Sequence, residues 1–269
     1  MLTRILSGIV ALSLVLPVIM YGGVVGAKLL VGAVLLVVLK EFSPIASPEH
    51  PTSAWLLTSG VGAAVYAQVS FGTDPAITVA AMVVAVGLLL SWAMFVHEDP
   101  EEGALSGAVT ALVVPYIAVA MAFIGLVRGF SPDDAVPEWL LFVLILTWVT
   151  DSGAYFAGRF FGKRKLIERI SPKKTWAGVY GGVICTVVTS AIWAQQSGLM
   201  PVEHAAGIGS VVAVSCVVGD LVESMFKRAR GIKDSGGIMP GHGGLFDRVD
   251  SLLFTMPVAW LYATVFGLV

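Results

Sequence analysis

The chain has 269 residues, of which 57% are hydrophobic and 13% charged, and its mean hydropathy is +0.89. An average soluble domain is about 45 to 50% apolar and about 25% charged, so this composition excludes an ordinary soluble fold. The net charge of −2 hides an asymmetry: residues 1–138 hold 4 Lys/Arg against 10 Asp/Glu, whereas residues 139–269 hold 12 against 8. The basic second half favours a polyanionic partner, either lipid headgroups or a nucleotide.

Apolar segments long enough to cross a bilayer recur along the whole chain. A hydrocarbon core about 30 Å thick takes about 20 apolar residues per helix. The expected fold class is therefore all-α, a polytopic integral membrane helical bundle of about nine transmembrane helices. The predicted spans are 4–21, 23–40, 54–71, 76–96, 104–127, 137–158, 176–195, 205–226 and 246–267.

Two basic loops interrupt the second half, at residues 162–175 and 227–234. Because cytoplasmic loops collect Lys and Arg, both loops are expected on the cytoplasmic side, with the amino terminus inside and the carboxyl terminus outside. Residues 1–103 carry no chemistry of their own and are interpreted as helices for support, dimerisation or lipid shaping. Residues 104–269 are predicted to hold a catalytic site that faces the cytoplasm.

Ionisable residues inside or at the edge of the membrane are functional candidates, because they are expensive to place there. On the eighth predicted span, Asp220, Ser224 and Lys227 share one helical face. A buried salt bridge that joins two helices is the alternative interpretation of this polar stripe. The acidic candidates are Asp151, Asp220, Glu223, Asp247 and Asp250.

A glycine-rich connection precedes the last span. Residues 235–244 include five glycines, which let backbone amides approach an anion closely. Asp247 and Asp250 then share a helical face, and together with Asp220 they form a predicted three-carboxylate site for a divalent cation. Ligation by oxygen alone points to Mg²⁺, while complementarity to a helix amino terminus is the alternative role for Asp247 and Asp250. Hard-cation ligands beside Lys and Arg suit phosphoryl or nucleotidyl transfer.

Two motifs resemble the phosphatidate cytidylyltransferase family. Residues 224–250 read S-x-F-K-R-x4-K-D-x5-P-x-H-G-G-L-x-D-R-x-D, and residues 151–178 contain D-S-G-A-Y, G-R and S-P-K-K-T-W-x-G. The sequence departs from the family pattern at Ala177, where the family often has Glu, and at Met239, where Leu, Ile or Phe is usual. Neither departure replaces a predicted ligand.

The resemblance implies conversion of CTP and phosphatidic acid into CDP-diacylglycerol and pyrophosphate in the inner membrane of a bacterium. It also implies Mg²⁺, a second cation such as K⁺ and a homodimer within the lipid bilayer, with no nucleic-acid partner. The catalytic group would comprise Asp220, Asp247, Asp250, Lys227 and Ser224, the three aspartates being the metal ligands. The substrate-binding group would comprise Lys173, Lys174, Arg228, Lys233, His242, Gly243, Gly244 and Arg248.

The sequence leaves three alternative functions to compare with this one. A CTP-using polyprenol or phytol kinase is similarly hydrophobic and would release CDP in place of pyrophosphate. A CDP-alcohol phosphotransferase is disfavoured because its D-G-x2-A-R…G-x3-D-x3-D spacing is not found. A transporter also uses intramembrane carboxylates, but it favours two related halves, against the lopsided charge distribution.

Overall fold

The computed structural model describes residues 2–238 and 243–269. Within these residues the chain is almost entirely helical. A π-helical segment, Val113–Val119, joins α5 to α6, and the strands β1 (Lys165–Ile167) and β2 (Ser171–Thr175) form an antiparallel hairpin. The α-helices are α1 (Leu2–Tyr21), α2 (Gly23–Ala46), α3 (Pro51–Phe71), α4 (Pro75–Val96), α5 (Pro100–Ala111), α6 (Ala120–Arg128), α7 (Glu138–Phe161), α8 (Trp176–Ser197), α9 (Val202–Ala229), α10 (Phe246–Val249) and α11 (Leu252–Val265).

Six helical stretches in the described part of the chain are long and apolar enough to cross a membrane. They are α2, α4, the continuous stretch Pro100–Arg128, α7, α8 and α9. The prediction of an all-α polytopic membrane protein is therefore confirmed, and the chain is a multi-pass membrane protein.

Helix ends are set by local chemistry. Asp74 precedes Pro75 and accepts a hydrogen bond from the backbone N–H of Ala76 at 2.8 Å, so that it caps the start of α4. Asp99 caps α5 in the same way, because its carboxylate accepts from the N–H of Glu102 at 2.9 Å. Such caps satisfy N–H groups that have no partner inside the helix.

The structure divides into two compact units. The first comprises residues up to Leu126 together with Asp234–Arg248, and the second comprises Val127–Lys233 and Val249–Val269. The predicted division at residue 103 concerned function and stays a prediction.

The core of the first unit contains an aromatic cluster. Phe42 of α2, Tyr116 of the π-helical segment and Phe246 of α10 pack edge to face, with ring centroids 5.5 to 6.4 Å apart. Phe42 and Phe246 are fully buried. Since edge-to-face pairs are favourable beyond their buried area, this cluster fixes α10 against the helices of the amino-terminal half.

In the second unit, small residues bring α7 and α8 close together. The buried face of α8 repeats every four residues through Gly178, Gly182, Thr186, Ser190 and Ala194, a pattern that lets membrane helices approach closely. The hydroxyl of Thr186 also hydrogen-bonds that of Thr150 on α7 at 2.7 Å.

The last predicted span, residues 246–267, is divided in the structure into α10 and α11. Residues Asp250 and Ser251 lie between the two helices, and Gly219 of α9 packs directly on them. A Cβ atom at Gly219 would lie 2.8 Å from the carbonyl oxygen of Asp250 and 3.0 Å from the Cα of Ser251. The absent side chain therefore lets α9 contact the break.

Candidate active site

Three carboxylates meet in the second unit. Asp220 and Glu223 lie on α9, Asp250 lies in the break before α11, and one oxygen from each lies within 4.8 Å of the others. Glu223 is buried, and Asp220 and Asp250 are partly buried. Carboxylates this close repel one another in a poorly hydrated place, so the cluster needs compensating positive charge.

Two lysines supply positive charge to this cluster. The Nζ of Lys174 lies 2.8 Å from Oδ2 of Asp220, and the Nζ of Lys227 lies 2.5 Å from Oε2 of Glu223. The side chains of Lys227 and Glu223 are only 10% and 1% exposed, respectively, and the two residues are one helical turn apart. The predicted polar face of α9 is therefore present, but Lys227 pairs with Glu223, and Asp220 pairs with a lysine from another element.

A hydroxyl group fixes the orientation of the Asp220 carboxylate. The Oγ of Ser224 donates to Oδ1 of Asp220 at 3.2 Å, across one turn of α9. Asp220 thus receives one hydrogen bond from its own helix and an ion pair at its other oxygen. Ser224, predicted to belong to the catalytic group, lies at the cluster.

The β hairpin places Lys174. Lys173 and Lys174 lie where the pairing of the two strands shifts register, between the pairs Lys165–Thr175 and Ile167–Ser171. Lys173 is exposed, whereas Lys174 is partly buried against the carboxylates. Thr175 then caps α8, since its Oγ1 accepts from the N–H of Gly178 at 3.2 Å. The sequence analysis did not predict the hairpin. It did predict Lys174, which the hairpin carries, as a substrate-binding residue.

A second group of predicted residues lies in the first unit. The carboxylate of Asp247 accepts hydrogen bonds from the backbone N–H of Gly244 at 2.8 Å and of Ser235 at 3.1 Å. Gly243 has φ +79°, and a Cβ atom there would lie 2.6 Å from Oδ2 of Asp247. Gly243 is thus required on both conformational and steric grounds, and Asp247 organises the described part of the glycine-rich connection.

The whole chain matches one family of known proteins. A family model described as "Cytidylyltransferase family" matches residues 2–266. The chain belongs to this family. A relative named phosphatidate cytidylyltransferase from Staphylococcus aureus is 30% identical over 260 residues, which is 96% of this chain and 97% of the relative.

Two further relatives with the same name match over shorter regions. The one from Haemophilus influenzae is 51% identical over 123 residues, covering 44% of this chain and 43% of the relative. The one from Bacillus subtilis is 38% identical over 160 residues, covering 57% and 60%. In these two alignments the chain spans about half of the relative's length.

One residue of this cytidylyltransferase-family chain was missed as a site candidate. Glu41, inside α2, accepts a hydrogen bond through Oε2 from the N–H of Phe246 at 2.8 Å, and the Oγ of Ser235 lies 3.5 Å from the same atom. A Cβ at Gly236 or Gly244 would lie 2.4 Å from a carboxylate oxygen of Glu41. The available signal is a carboxylate that directly follows the apolar run of the predicted span 23–40.

The first half of this family member therefore contributes to the glycine-rich connection. The Oε1 of Glu41 is buried and has no hydrogen-bond partner among the described residues. A buried carboxylate that accepts the N–H of Phe246 and lies beside the hydroxyl of Ser235 orders the chain around the two ends of the connection. Glu41 is a positioning residue for that segment.

The remaining predicted residues have varied surroundings. Arg228 is exposed, and its Nη1 donates to the carbonyl of Ile232 at 2.7 Å. Lys233 and Arg248 are exposed as well. Asp151 accepts a hydrogen bond from the Sγ of Cys216 at 3.3 Å. His242 lies outside the described residues, and the substrate-binding roles of all these residues stay predictions.

The structure thus gathers part of the predicted site residues into two groups. The first group is the carboxylate cluster of the second unit with its contacts, and it contains the predicted residues Asp220, Asp250, Ser224, Lys174 and Lys227 together with Glu223. The connection in the first unit contains Asp247, Gly243 and Gly244, with Glu41 as an additional member. Carboxylate oxygens suit a hard cation and ammonium groups suit phosphate oxygens, so the first group has the chemistry of a metal-assisted phosphate site.

Proposed function

We propose that this chain is a CTP:phosphatidate cytidylyltransferase that makes CDP-diacylglycerol and pyrophosphate. The observation that carries the proposal is the meeting of three carboxylates and two lysines, in Asp220, Glu223, Asp250, Lys174 and Lys227, within a multi-pass membrane protein of the cytidylyltransferase family. The names of relatives, including one that matches almost end to end, support the same activity.

The carboxylate cluster fits Mg²⁺. Its donors are oxygens alone, and Mg²⁺ usually binds one or two carboxylates, waters and substrate phosphates. Asp220 and Asp250 with Glu223 would hold the ion, and the ligand role of Asp247, which lies in the first unit, stays a prediction. When bound, Mg²⁺ would neutralise phosphate oxygens of the nucleotide. A second cation such as K⁺ belongs to the same proposal.

The two lysines bind phosphate in this proposal. Each already pairs with a carboxylate of the cluster, so their ammonium groups lie where phosphates coordinated by the same carboxylate site would arrive. Lys227 is buried, so its attraction for a phosphate oxygen is weakly screened by water. Lys174 is more accessible and would be the first of the two lysines to contact the substrate. Ser224 keeps one oxygen of Asp220 oriented throughout.

The chemical step is one substitution at phosphorus. An oxygen of the phosphatidate phosphate forms a bond to the α-phosphorus of CTP, and the bond between that phosphorus and the α,β-bridging oxygen breaks, which releases pyrophosphate. A phosphate monoester is largely dianionic at pH 7 because its second pKa is about 6. The nucleophile therefore needs no strong general base, and positioning and charge neutralisation supply the catalysis.

The cellular setting is part of the proposal. The basic segment that contains Lys163, Arg164 and Lys165 favours a cytoplasmic location for the β hairpin, where CTP is available. We place the protein in a bacterial inner membrane with its site facing the cytoplasm, and we propose a homodimer. A protease-accessibility experiment on sealed vesicles of known orientation tests the sidedness.

The activity is tested with the full chain in detergent. Phosphatidic acid, Mg²⁺ and CTP labelled in the cytidine are supplied, and label in lipid and pyrophosphate release are both measured for wild type, Asp220→Asn and Asp134→Asn. Asp134 is an exposed acidic residue outside the cluster and is the matched control.

The proposal is supported if wild type forms equal amounts of labelled lipid and pyrophosphate. Both products should be lost in Asp220→Asn and retained in Asp134→Asn. Release of CDP in place of pyrophosphate would assign a CTP-dependent lipid kinase instead. Full activity of Asp220→Asn would remove the carboxylate cluster from the mechanism even if the reaction itself is correct.

A further inference from the structure

A second group of metal-ligand atoms lies in the first unit, apart from the residues assigned to cytidylyl transfer. Glu49 and His50 follow α2, and His97 directly follows α4. One ligand atom from each of these three residues lies within 4.8 Å of the other two. The imidazole rings of His50 and His97 pack edge to face with centroids 5.0 Å apart.

The buried imidazole ring of His97 makes no hydrogen bond within the described part of the chain. Its side chain is only 4% exposed, yet neither ring nitrogen has a hydrogen-bond partner among the described residues. The nearest carboxylate oxygen, Oε2 of Glu49, is 3.8 Å from Nδ1, which is beyond hydrogen-bond distance. A buried polar group without a partner is unfavourable, so the two ring nitrogens are suited to bind a ligand.

The spacing suits a metal ion better than it suits a direct contact. Nitrogen and oxygen ligands bind Zn²⁺ at about 2.0 to 2.2 Å, so two ligands of one ion lie at most about 4.4 Å apart. The 3.8 Å between His97 and Glu49 falls within that limit. Two imidazoles and one carboxylate form the donor set of zinc and related first-row metals, not of Mg²⁺.

The surroundings favour a cation too. The segment after His97 contains Glu98, Asp99, Glu101 and Glu102, whose negative potential attracts cations. Glu49 is 58% exposed, so an ion has a route in from solvent and a place for a water ligand. Gly103 of α5 lies against His97, because a Cβ there would be 3.3 Å from the Cβ of the histidine.

We propose that Glu49, His50 and His97 form a binding site for a divalent transition metal of the Zn²⁺ type. The ion would tie the start of α3, where His50 precedes Pro51, to the end of α4. Such a site goes beyond cytidylyl transfer, and its role would be to stabilise the amino-terminal helices. It does not depend on the proposed activity.

The test measures metal binding by the full chain. Protein in detergent is stripped with a chelator, then dialysed against Zn²⁺ or Co²⁺ with Mg²⁺ in excess to occupy sites for hard cations. Bound metal, the visible absorption of Co²⁺ and the thermal midpoint Tm are recorded for wild type, Glu49→Gln, His50→Gln and His204→Gln. His204 lies in the second unit beside Tyr262 and is the matched control.

One equivalent of Zn²⁺ and a rise in Tm are expected for wild type and for His204→Gln. Glu49→Gln alters an exposed side chain and should fold, but its dissociation constant for Zn²⁺ should rise about tenfold or more, as should that of His50→Gln. Binding that is sub-stoichiometric in wild type, or unchanged in both variants, overturns the proposal. A Tm that depends on pH but not on metal would show that Glu49 and His97 form only an ion pair, and this result also overturns it.

Discussion

Replacing Gly219 by alanine should displace Asp250 from the carboxylate cluster. The added Cβ would lie 2.8 Å from the Asp250 carbonyl oxygen, 3.0 Å from the Cα of Ser251 and 3.2 Å from a ring carbon of Phe254. Ordinary contacts begin at 3.4 Å, so the break before α11 must move by about 0.6 Å. Two of these three neighbours are backbone atoms, which cannot rotate away.

The size of the effect follows from two opposing terms. Overpacking of this kind costs about 1 to 3 kcal/mol, while alanine is favoured over glycine inside a helix by about 1 kcal/mol. The net loss of stability is therefore at most about 2 kcal/mol, and Gly219→Ala should still fold. Misplacing a catalytic group by 1 Å can cost about 100-fold, so a shift of 0.6 Å should lower kcat/KM by about 10- to 100-fold.

The assay compares Gly219→Ala with Gly87→Ala. Gly87 lies inside α4, and a Cβ there would meet nothing within 4 Å, so this control changes helix propensity alone. Cytidylyl transfer and thermal unfolding are measured for both variants. The thermal midpoint does not depend on whether the proposed reaction is correct. Wild-type activity together with an unchanged Tm in Gly219→Ala would refute the close packing of α9 on the break.

Three further predictions concern the site. Lys174→Met should lower kcat/KM by about 10- to 100-fold, because a hydrogen bond to a charged group contributes about 1.5 to 3 kcal/mol. The control Lys163→Met changes an exposed residue of the same basic segment and should match wild type. Equal effects of the two substitutions would mean that Lys174 serves only as a signal for membrane topology. Gly243→Ala should lose activity, because alanine at φ +79° is strained and its Cβ collides with the Asp247 carboxylate. The control Gly237→Ala, which has open space around it, should keep activity. Comparable loss in both variants would show that the connection only needs to be flexible. Glu41→Ala should destabilise the protein by about 1 to 3 kcal/mol, because it leaves the backbone N–H of Phe246 unsatisfied. The readout is faster proteolysis of the glycine-rich connection, and an unchanged cleavage rate would contradict the positioning role of Glu41.

The helices could be predicted well because the bilayer sets their length and because local residues mark their ends. The predicted span 76–96 became α4 (Pro75–Val96), and the predicted span 54–71 became α3 (Pro51–Phe71). In both helices a proline occupies the first turn, where its missing N–H is tolerated. These signals are local, so one sequence is enough to read them.

The hairpin and the break between α10 and α11 could not be predicted in the same way. The strand β2 has the sequence Ser-Pro-Lys-Lys-Thr, which lacks the alternating apolar residues that indicate a strand. The break packs against Gly219, a residue of another helix. Contacts between elements far apart in the chain leave no periodic pattern to read.

The same distinction applies to the site. Helical spacing correctly placed Asp220 and Ser224 on one face, because residues four apart on a helix are neighbours. It could not reveal that Lys174 pairs with Asp220, or that Glu41 holds the glycine-rich connection, since both contacts join distant segments. The roles of these residues in substrate binding and metal binding stay predictions until the variants are measured.

The hydrogen bond from Phe246 to Glu41 has a consequence for biogenesis. These two residues are 205 positions apart, and the chain synthesised between them includes all of Val127–Lys233, which belongs to the other unit. The amino-terminal helices therefore enter the membrane long before the ribosome supplies the segment that completes their packing. Until then the Glu41 carboxylate lacks the backbone partner that it has in the finished protein, and a chain truncated before Phe246 would present this unfinished surface to the quality-control proteases of the membrane.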